Sequence, residues 1–176
     1  KDKLPDLVIS GVNFGQNIAE DVTYSGTVAG AKEGTVMGIR SIALSQALNL
    51  AAHPEDMMPR FEVSEKYAAE VIAKTLELEW SSGMLMNINF PDIDLDKDCD
   101  VRVTAQGRRD KMMLALEERR DPRNKPYFWY NFTRQLSTAT PGTDIEAIMH
   151  GHISVTPLQM NHTHDDMKAE LETLFE

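Results

Sequence analysis

Apolar and polar positions in the first half of the chain follow the pattern of an alternating α/β fold. Short apolar runs at residues 7–9, 41–44 and 84–90 predict buried strands, each bounded by turn residues or a polar segment. Residues 25–37 are dominated by small side chains, and residues 63–78 repeat apolar side chains at three- and four-residue steps, which predicts two helices. The order strand, helix, strand, helix, strand favours parallel pairing with right-handed crossovers, in a three-layer core.

Two segments in the second half of the chain have the residue pattern of strands but do not alternate with helices as in the first half. Residues 101–104 alternate, and residues 126–133 are crowded with aromatic side chains and other strand formers. These two segments suggest an antiparallel hairpin. The charged stretch at 108–125 lies between them and carries turn residues near its end, so we expect it to be a structural surface element.

The end of the chain returns to regular elements. Thr143 and Asp144 can cap a short helix that ends at Gly151, residues 153–156 predict a strand, and residues 165–176 predict an amphipathic helix. The apolar stripe of this last helix comprises Met167, Leu171, Leu174 and Phe175.

Composition and net charge indicate which classes of protein and ligand fit this chain. The 176 residues suit one globular domain, and 41% hydrophobic residues are enough for a sizeable core. The net charge of −10 argues against binding to a nucleic-acid polymer or an anionic membrane, although local backbone donors can still bind a small phosphorylated ligand. Cys99 is the only cysteine, which excludes an internal disulfide and suits the cytoplasm, the compartment we expect.

Residues 10–34, which run from the end of the first strand into the first helix, contain the highest density of residues that could bind a ligand. Glycines and the carboxamides of Asn13 and Asn17 at the end of a strand can form a metal or phosphate loop. Ser25 and Thr27 precede the small-residue helix, where free amides and the helix dipole favour an anion. The plainer interpretation is that the hydroxyls cap the helix and the asparagines stabilise turns, and residue types alone favour it.

Several segments resemble the SurE family in the same chain order. LPDLVISGVNFGQNIAEDVTYSGTVAGAKEG is similar to the family signature around its S-G-x-N and T-Y-S-G-T-V motifs. Residues 87–91 (NINFP), 102–109 (RVTAQGRR), 121–130 (DPRNKPYFWY), 142–144 (GTD) and 151–158 (GHISVTPL) resemble further family segments. The resemblance therefore extends from about Pro5 to Leu158.

The resemblance implies a Rossmann-like three-layer α/β/α fold with a C-terminal β-hairpin extension and a terminal helix. On this basis we predict a single domain over residues 1–176, with core residues at 1–107, a protruding hairpin at 108–137, and a return to the core and the last helix at 138–176. The resemblance also implies a homodimer or homotetramer joined through these C-terminal elements.

The implied activity is hydrolysis of nucleoside 5′- or 3′-monophosphates with Mg²⁺ or Mn²⁺. Asn13 matches the family's catalytic, metal-binding asparagine. Residues matching the phosphate pocket are Ser25, Gly26 and Thr27, and weaker candidates for supporting the metal ligands are Asn17 and Asp21.

The family's N-terminal Asp-Asp pair and a metal-binding Ser have no counterpart here and would lie upstream of Lys1. We therefore expect an N-terminally truncated chain that is inactive alone. The alternative function is a phosphate-binding or assembly module without catalysis.

For the histidines and the aromatic run, structural roles are favoured over metal binding and base stacking. His150 and His152, and His162 and His164, have spacings that could bind zinc, but no convincing further ligand completes either set. We expect surface or capping roles for them. The aromatic side chains of residues 127–130 favour packing in a hairpin or a subunit contact over base stacking, because neighbours lie on opposite faces of a strand.

Overall fold

The computed structural model describes residues 3–48, 60–109, 114–132 and 139–176. Within these ranges the chain forms seven strands and five helices. In chain order they are β1 (Val8–Phe14), α1 (Asp21–Tyr24), α2 (Gly26–Val36), β2 (Ser41–Gln46), α3 (Glu62–Leu76), β3 (Met84–Phe90), β4 (Val101–Val103), β5 (Leu114–Arg120), β6 (Pro126–Phe132), α4 (Asp144–Met149), β7 (Ile153–Gln159) and α5 (Asp165–Phe175).

Five of these strands form a mixed sheet in the order β1-β2-β3-β7-β4. Strands β1, β2 and β3 are parallel, which confirms the pairing predicted from the alternation of strands and helices. Strand β7 enters antiparallel to β3, and β4 pairs parallel to β7. The predicted α/β class is therefore correct, with a mixed sheet.

Successive side chains of a strand point to opposite sides, so this sheet has two apolar faces, and helices cover both. On one face, Ile42, Ile88 and Phe90 pack with Val63 and Val71 of α3. On the other face, Ala43, Leu85 and Leu158 pack with Val28 and Ala31 of α2. The three-layer α/β/α arrangement predicted from the sequence is confirmed.

The predicted pairing of residues 101–104 with 126–133 is wrong. Residues 101–103 join the main sheet beside β7, and β6 pairs antiparallel with β5, which lies inside the stretch expected to be a charged surface segment. Residues 116–120 and 122–129 are largely exposed, so β5 needs no alternating apolar face and its sequence does not show one. Residues 110–113 and 133–137 of the predicted hairpin region lie outside the described residues.

The first strand is longer than predicted. β1 continues through Ser10 and Gly11 to Phe14, with an irregular register against β2 between Ser10 and Asn13. Gly11 has φ 125°, and a Cβ there would lie 2.2 Å from Leu44 O, so the glycine is required by the close approach of β2. The glycine therefore marks an irregular point within the strand and not its end.

The C-terminal helix has the predicted position, but no face of it packs against the described residues. All residues of α5 are exposed, including its apolar stripe. His164 caps this helix by accepting a hydrogen bond from Met167 N at 3.1 Å, which is one of the capping roles expected for the histidines. Among the described residues, no helix is both long and apolar enough to cross a membrane.

Candidate functional site

Asn13 lies near the C-terminal end of β1, and its carboxamide has a fixed orientation. Its Nδ2 donates to Phe14 O at 3.1 Å and to Gly15 O at 2.8 Å. Gly15 N in turn donates to Gln46 O at the end of β2, at 2.9 Å. Within the described part of the chain, no hydrogen bond is made to Asn13 Oδ1, which leaves that oxygen available to a ligand.

Asn17 is buried and ties the loop after β1 to the sheet. Its backbone N donates to Asn89 Oδ1 at 2.8 Å, and its Nδ2 donates to Ser45 Oγ at 2.8 Å. Its carbonyl accepts from Asn87 Nδ2 at 2.8 Å and from Asn89 Nδ2 at 3.2 Å. These bonds fix the path of the loop across the C-terminal ends of β2 and β3.

The phosphate candidates form the start of α2. Ser25 is the N-cap, and its Oγ accepts from Val28 N at 3.0 Å. Gly26 and Thr27 occupy the first turn, whose amides have no acceptor within a helix. Because α2 follows a parallel strand and returns across the sheet, its N-terminus lies at the same edge as the end of β1. The structure thus places Asn13 and Ser25–Thr27 at one edge.

Asp21 is engaged by an arginine from the second half of the chain. Arg109 donates through Nη1 to Asp21 Oδ1 at 3.1 Å and through Nη2 to Asp21 Oδ2 at 2.6 Å. The side chain of Arg109 is only 13% exposed. Both oxygens of Asp21 are therefore bound to a cation supplied by the protein itself.

A buried carboxylate lies behind the same loop. Asp144 is fully buried and accepts hydrogen bonds from the backbone N of Ala19, Gly107 and Ile145. Burial raises the pKa of Asp144, against the lowering effect of these three amides and of the Arg109 charge. Its oxygens face inward to the backbone, so it supports the loop and is not a ligand at the sheet edge.

The described residues contain no group of three or more His, Cys, Asp or Glu side chains that could hold a metal ion. Asn13 Oδ1 fits the oxygen preference of Mg²⁺ or Mn²⁺ as a single ligand. Of the histidines expected to have surface or capping roles, His150 contacts Glu146 O and Oε1, and His164 is the cap of α5.

Sequence reasoning missed the residues that hold the loop. The sequence places Asn87 and Asn89 in a strand and Asp144 at a helix cap, and it gives no sign that they or Arg109 contact this loop. Their contacts with the loop span 70 to 125 residues. Periodicity and local spacing carry no signal for partners this far apart.

The family described as "Survival protein SurE" matches residues 1–113. A protein named 5'-nucleotidase SurE from Azorhizobium caulinodans is 46% identical over 99% of this chain and 68% of its own length. Those of Parvibaculum lavamentivorans and Paramagnetospirillum magneticum are 48% and 49% identical, over 93% and 99% of this chain. The chain spans 58% and 65% of the lengths of these last two relatives.

A solved structure shows the same fold. The "Crystal Structure of Sure Protein from Aquifex aeolicus" superposes with a TM-score of 0.81 at 34% sequence identity. The match covers 99% of this chain and 67% of the crystallised chain.

Proposed function

Because the chain belongs to the SurE family, we propose that the protein is a metal-dependent phosphatase that hydrolyses nucleoside 5′-monophosphates, and 3′-monophosphates, to nucleoside and phosphate. The names of its relatives support the 5′-nucleotidase activity. One structural observation carries the proposal for the site: the start of α2 and the free carboxamide oxygen of Asn13 lie at the same edge of the sheet.

The start of α2 suits a phosphate group. The first-turn amides of Gly26 and Thr27 have no acceptor within the helix, and the dipole of this 11-residue helix adds partial positive charge there. Ser25 Oγ accepts from Val28 N, so its own proton is free to be donated to a phosphate oxygen. Thr27 adds a second hydroxyl. These donors can hold a dianion in a chain whose net charge is −10.

Asn13 would supply one oxygen to the divalent ion. Its amide nitrogen is committed to two carbonyls of the following turn, which fixes the direction of its oxygen before any ligand arrives. When bound, such an ion polarises a phosphoryl oxygen and lowers the pKa of bound water. A single carboxamide cannot hold it, so we propose that residues 1–176 are inactive on their own.

Asn17 and Asp21 would act at one remove from the ligands. Asn17 fixes the loop through buried hydrogen bonds to β2 and β3, and Asp21 is held by Arg109. In this proposal neither residue contacts substrate. Their role is to keep the residues on either side of them, Asn13 and Ser25, in place.

The test is phosphate release from purified protein expressed from its whole gene. We expect hydrolysis of adenosine 5′-monophosphate with Mg²⁺ or Mn²⁺, loss of activity on chelation, and lower activity on a phosphate ester that lacks a nucleoside. The same assay on residues 1–176 should give no turnover. A protein that was equally active in chelator would contradict the metal dependence, and turnover by residues 1–176 would contradict the inactivity of this segment.

A further inference from the structure

The loop of residues 17–21, which connects β1 to α1, is held by two segments from the second half of the chain. One segment is 106–109, directly after β4, and the other is the start of α4 at Asp144. Both segments bind the backbone of the loop, and residues 106–109 also bind its side chains. The loop leads directly into α1 and then into the first turn of α2, which carries the proposed phosphate donors.

Asp144 provides the buried contact. Its Oδ2 accepts from Ala19 N at 2.9 Å, and its Oδ1 accepts from Gly107 N at 2.8 Å. Ala19 is fully buried and has φ 51°, a conformation that a non-glycine residue adopts only when its surroundings impose it. A Cβ on Gly107 would lie 2.7 Å from Asp144 Oδ1, so the turn after β4 also fits closely against this carboxylate.

Gln106 and Arg109 provide the contacts nearer the surface. Gln106 Nε2 donates to Ala19 O at 2.9 Å, and Arg109 Nη1 donates to Ile18 O at 3.3 Å. Arg109 also binds Asp21 through both guanidinium nitrogens, and its backbone N donates to Glu20 Oε1 at 3.1 Å. Ile18, Ala19, Glu20 and Asp21 are thus each bound by the second half of the chain.

We infer that Arg109, together with Gln106 and Asp144, is a positioning residue of the phosphate site. These side chains fix the loop of residues 17–21 and thereby the direction in which the first turn of α2 presents its donors. This inference rests on the proposed phosphatase function and adds residues that the family signature around α2 does not contain.

The charge balance argues against a direct role for Arg109 in binding phosphate. Its guanidinium contacts Asp21 Oδ2 at 2.6 Å and Glu20 Oε2 at 3.4 Å, so two carboxylates already neutralise it. A phosphate would have to displace Asp21 from a bidentate pair, which is the stronger class of ion pair. Arg109 therefore acts on the phosphate site through the loop.

The experiment measures kcat, KM and the inhibition constant of inorganic phosphate for protein expressed from its whole gene, with adenosine 5′-monophosphate as substrate. The main variant is Arg109→Ala, and Arg109→Lys is the conservative variant. Arg102→Ala is the matched control, because Arg102 is exposed and pairs only with Asp100 among the described residues. Gln106→Ala removes one hydrogen bond to the loop from the same segment, and it should disturb folding less because the Gln106 side chain is exposed.

We expect Arg109→Ala to raise KM and the phosphate inhibition constant about tenfold, with a smaller change in kcat. Arg109→Lys should restore part of the affinity, and Arg102→Ala should match wild type. The double variant Asp21→Asn, Arg109→Ala should have the same KM as Arg109→Ala alone, because both substitutions remove the same ion pair. If Arg109→Ala does not fold, a raised KM in Gln106→Ala supports the inference, and an unchanged one overturns it.

An active wild type with a folded Arg109→Ala variant that behaves like Arg102→Ala would overturn the inference alone. Additive effects of Asp21→Asn and Arg109→Ala would also overturn it. A wild type that neither hydrolyses the nucleotide nor binds inorganic phosphate would overturn the proposed function, and this inference with it.

Discussion

At the start of α2, the hydroxyls of Ser25 and Thr27 differ in what they already bind. Ser25 Oγ caps the helix, whereas no hydrogen bond of Thr27 Oγ1 is found within the described ranges. Thr27→Val keeps the side-chain shape and removes one donor to a charged group, so we expect KM to rise about tenfold. Stability should change by less than about 0.5 kcal/mol.

Ser25→Ala is the comparison for this variant, because it removes the cap and should also cost about 1 kcal/mol of stability. Steady-state kinetics and urea unfolding separate the two effects. An unchanged KM in Thr27→Val would remove Thr27 from the phosphate site.

The sequence identifies residues that stand at positions where ligands commonly bind. It does not identify the distant residues that contact them. Asn13 and Ser25 stand out because strand ends and helix starts are where ligands bind. Asp21 does not reveal from its neighbours that Arg109 neutralises it. That pairing depends on how the turn after β4 meets the loop, and chain spacing does not encode such a contact. The roles assigned to Asn13, Ser25, Gly26 and Thr27 remain predictions.

Among the elements, α2 packs against β1 and the start of β2 through a glycine. A Cβ on Gly34 would lie 2.4 Å from Ser41 Oγ and 2.8 Å from Val8 Cβ, and neither is the end of a long flexible side chain. We expect Gly34→Ala to lower the free energy of unfolding by about 1–2 kcal/mol, because overpacking outweighs the better helix propensity of alanine.

Gly26→Ala in the same helix is the matched control for unfolding, since a Cβ there meets nothing within 4 Å. Denaturant unfolding of both variants gives the comparison. If Gly34→Ala were as stable as Gly26→Ala, the close packing of α2 on β1 and β2 would be contradicted.

Elements whose residues carry an apolar or strand-forming pattern could be predicted, and β5, which carries none, could not. Helix α3 repeats apolar residues at three- and four-residue steps, and β2 and β3 are short apolar runs, so all three are visible in the sequence. β5 is rich in charged residues and exposed at residues 116–120, so its strand character comes from pairing with β6 and not from a pattern. Strand β4 is predicted as a strand from its alternation, but its three exposed residues do not indicate that its partner is β7.

In the whole molecule, two elements expose apolar side chains that the described residues leave uncovered. Phe128 and Trp129 in the hairpin are 59% and 52% exposed, and Leu174 and Phe175 in α5 are 73% and 83% exposed. An exposed set of this kind is typical of an association surface. We propose that both elements join copies of the chain into a homodimer or homotetramer.

Leu174→Asp should therefore reduce the molecular mass measured by light scattering of the protein expressed from its whole gene. Leu78→Asp is the matched control, because Leu78 is 65% exposed and lies just after α3, outside both elements. That control should keep the wild-type mass. A monomeric wild type at micromolar concentration, or equal masses for both variants, would contradict the assembly.

We propose that the end of β1 and the start of α2 form one metal-dependent phosphate site in which Asn13 supplies an oxygen to the metal ion. The measurement is phosphate release from adenosine 5′-monophosphate across a Mn²⁺ titration, for wild type, Asn13→Ala and the exposed control Asn161→Ala, with thermal unfolding of each. We predict that Asn13→Ala needs about 10–100-fold more Mn²⁺ or loses activity. Its folding should change little, because it loses only two hydrogen bonds within a turn. The same Mn²⁺ dependence and rate in Asn13→Ala as in wild type would contradict a metal-dependent site at Asn13.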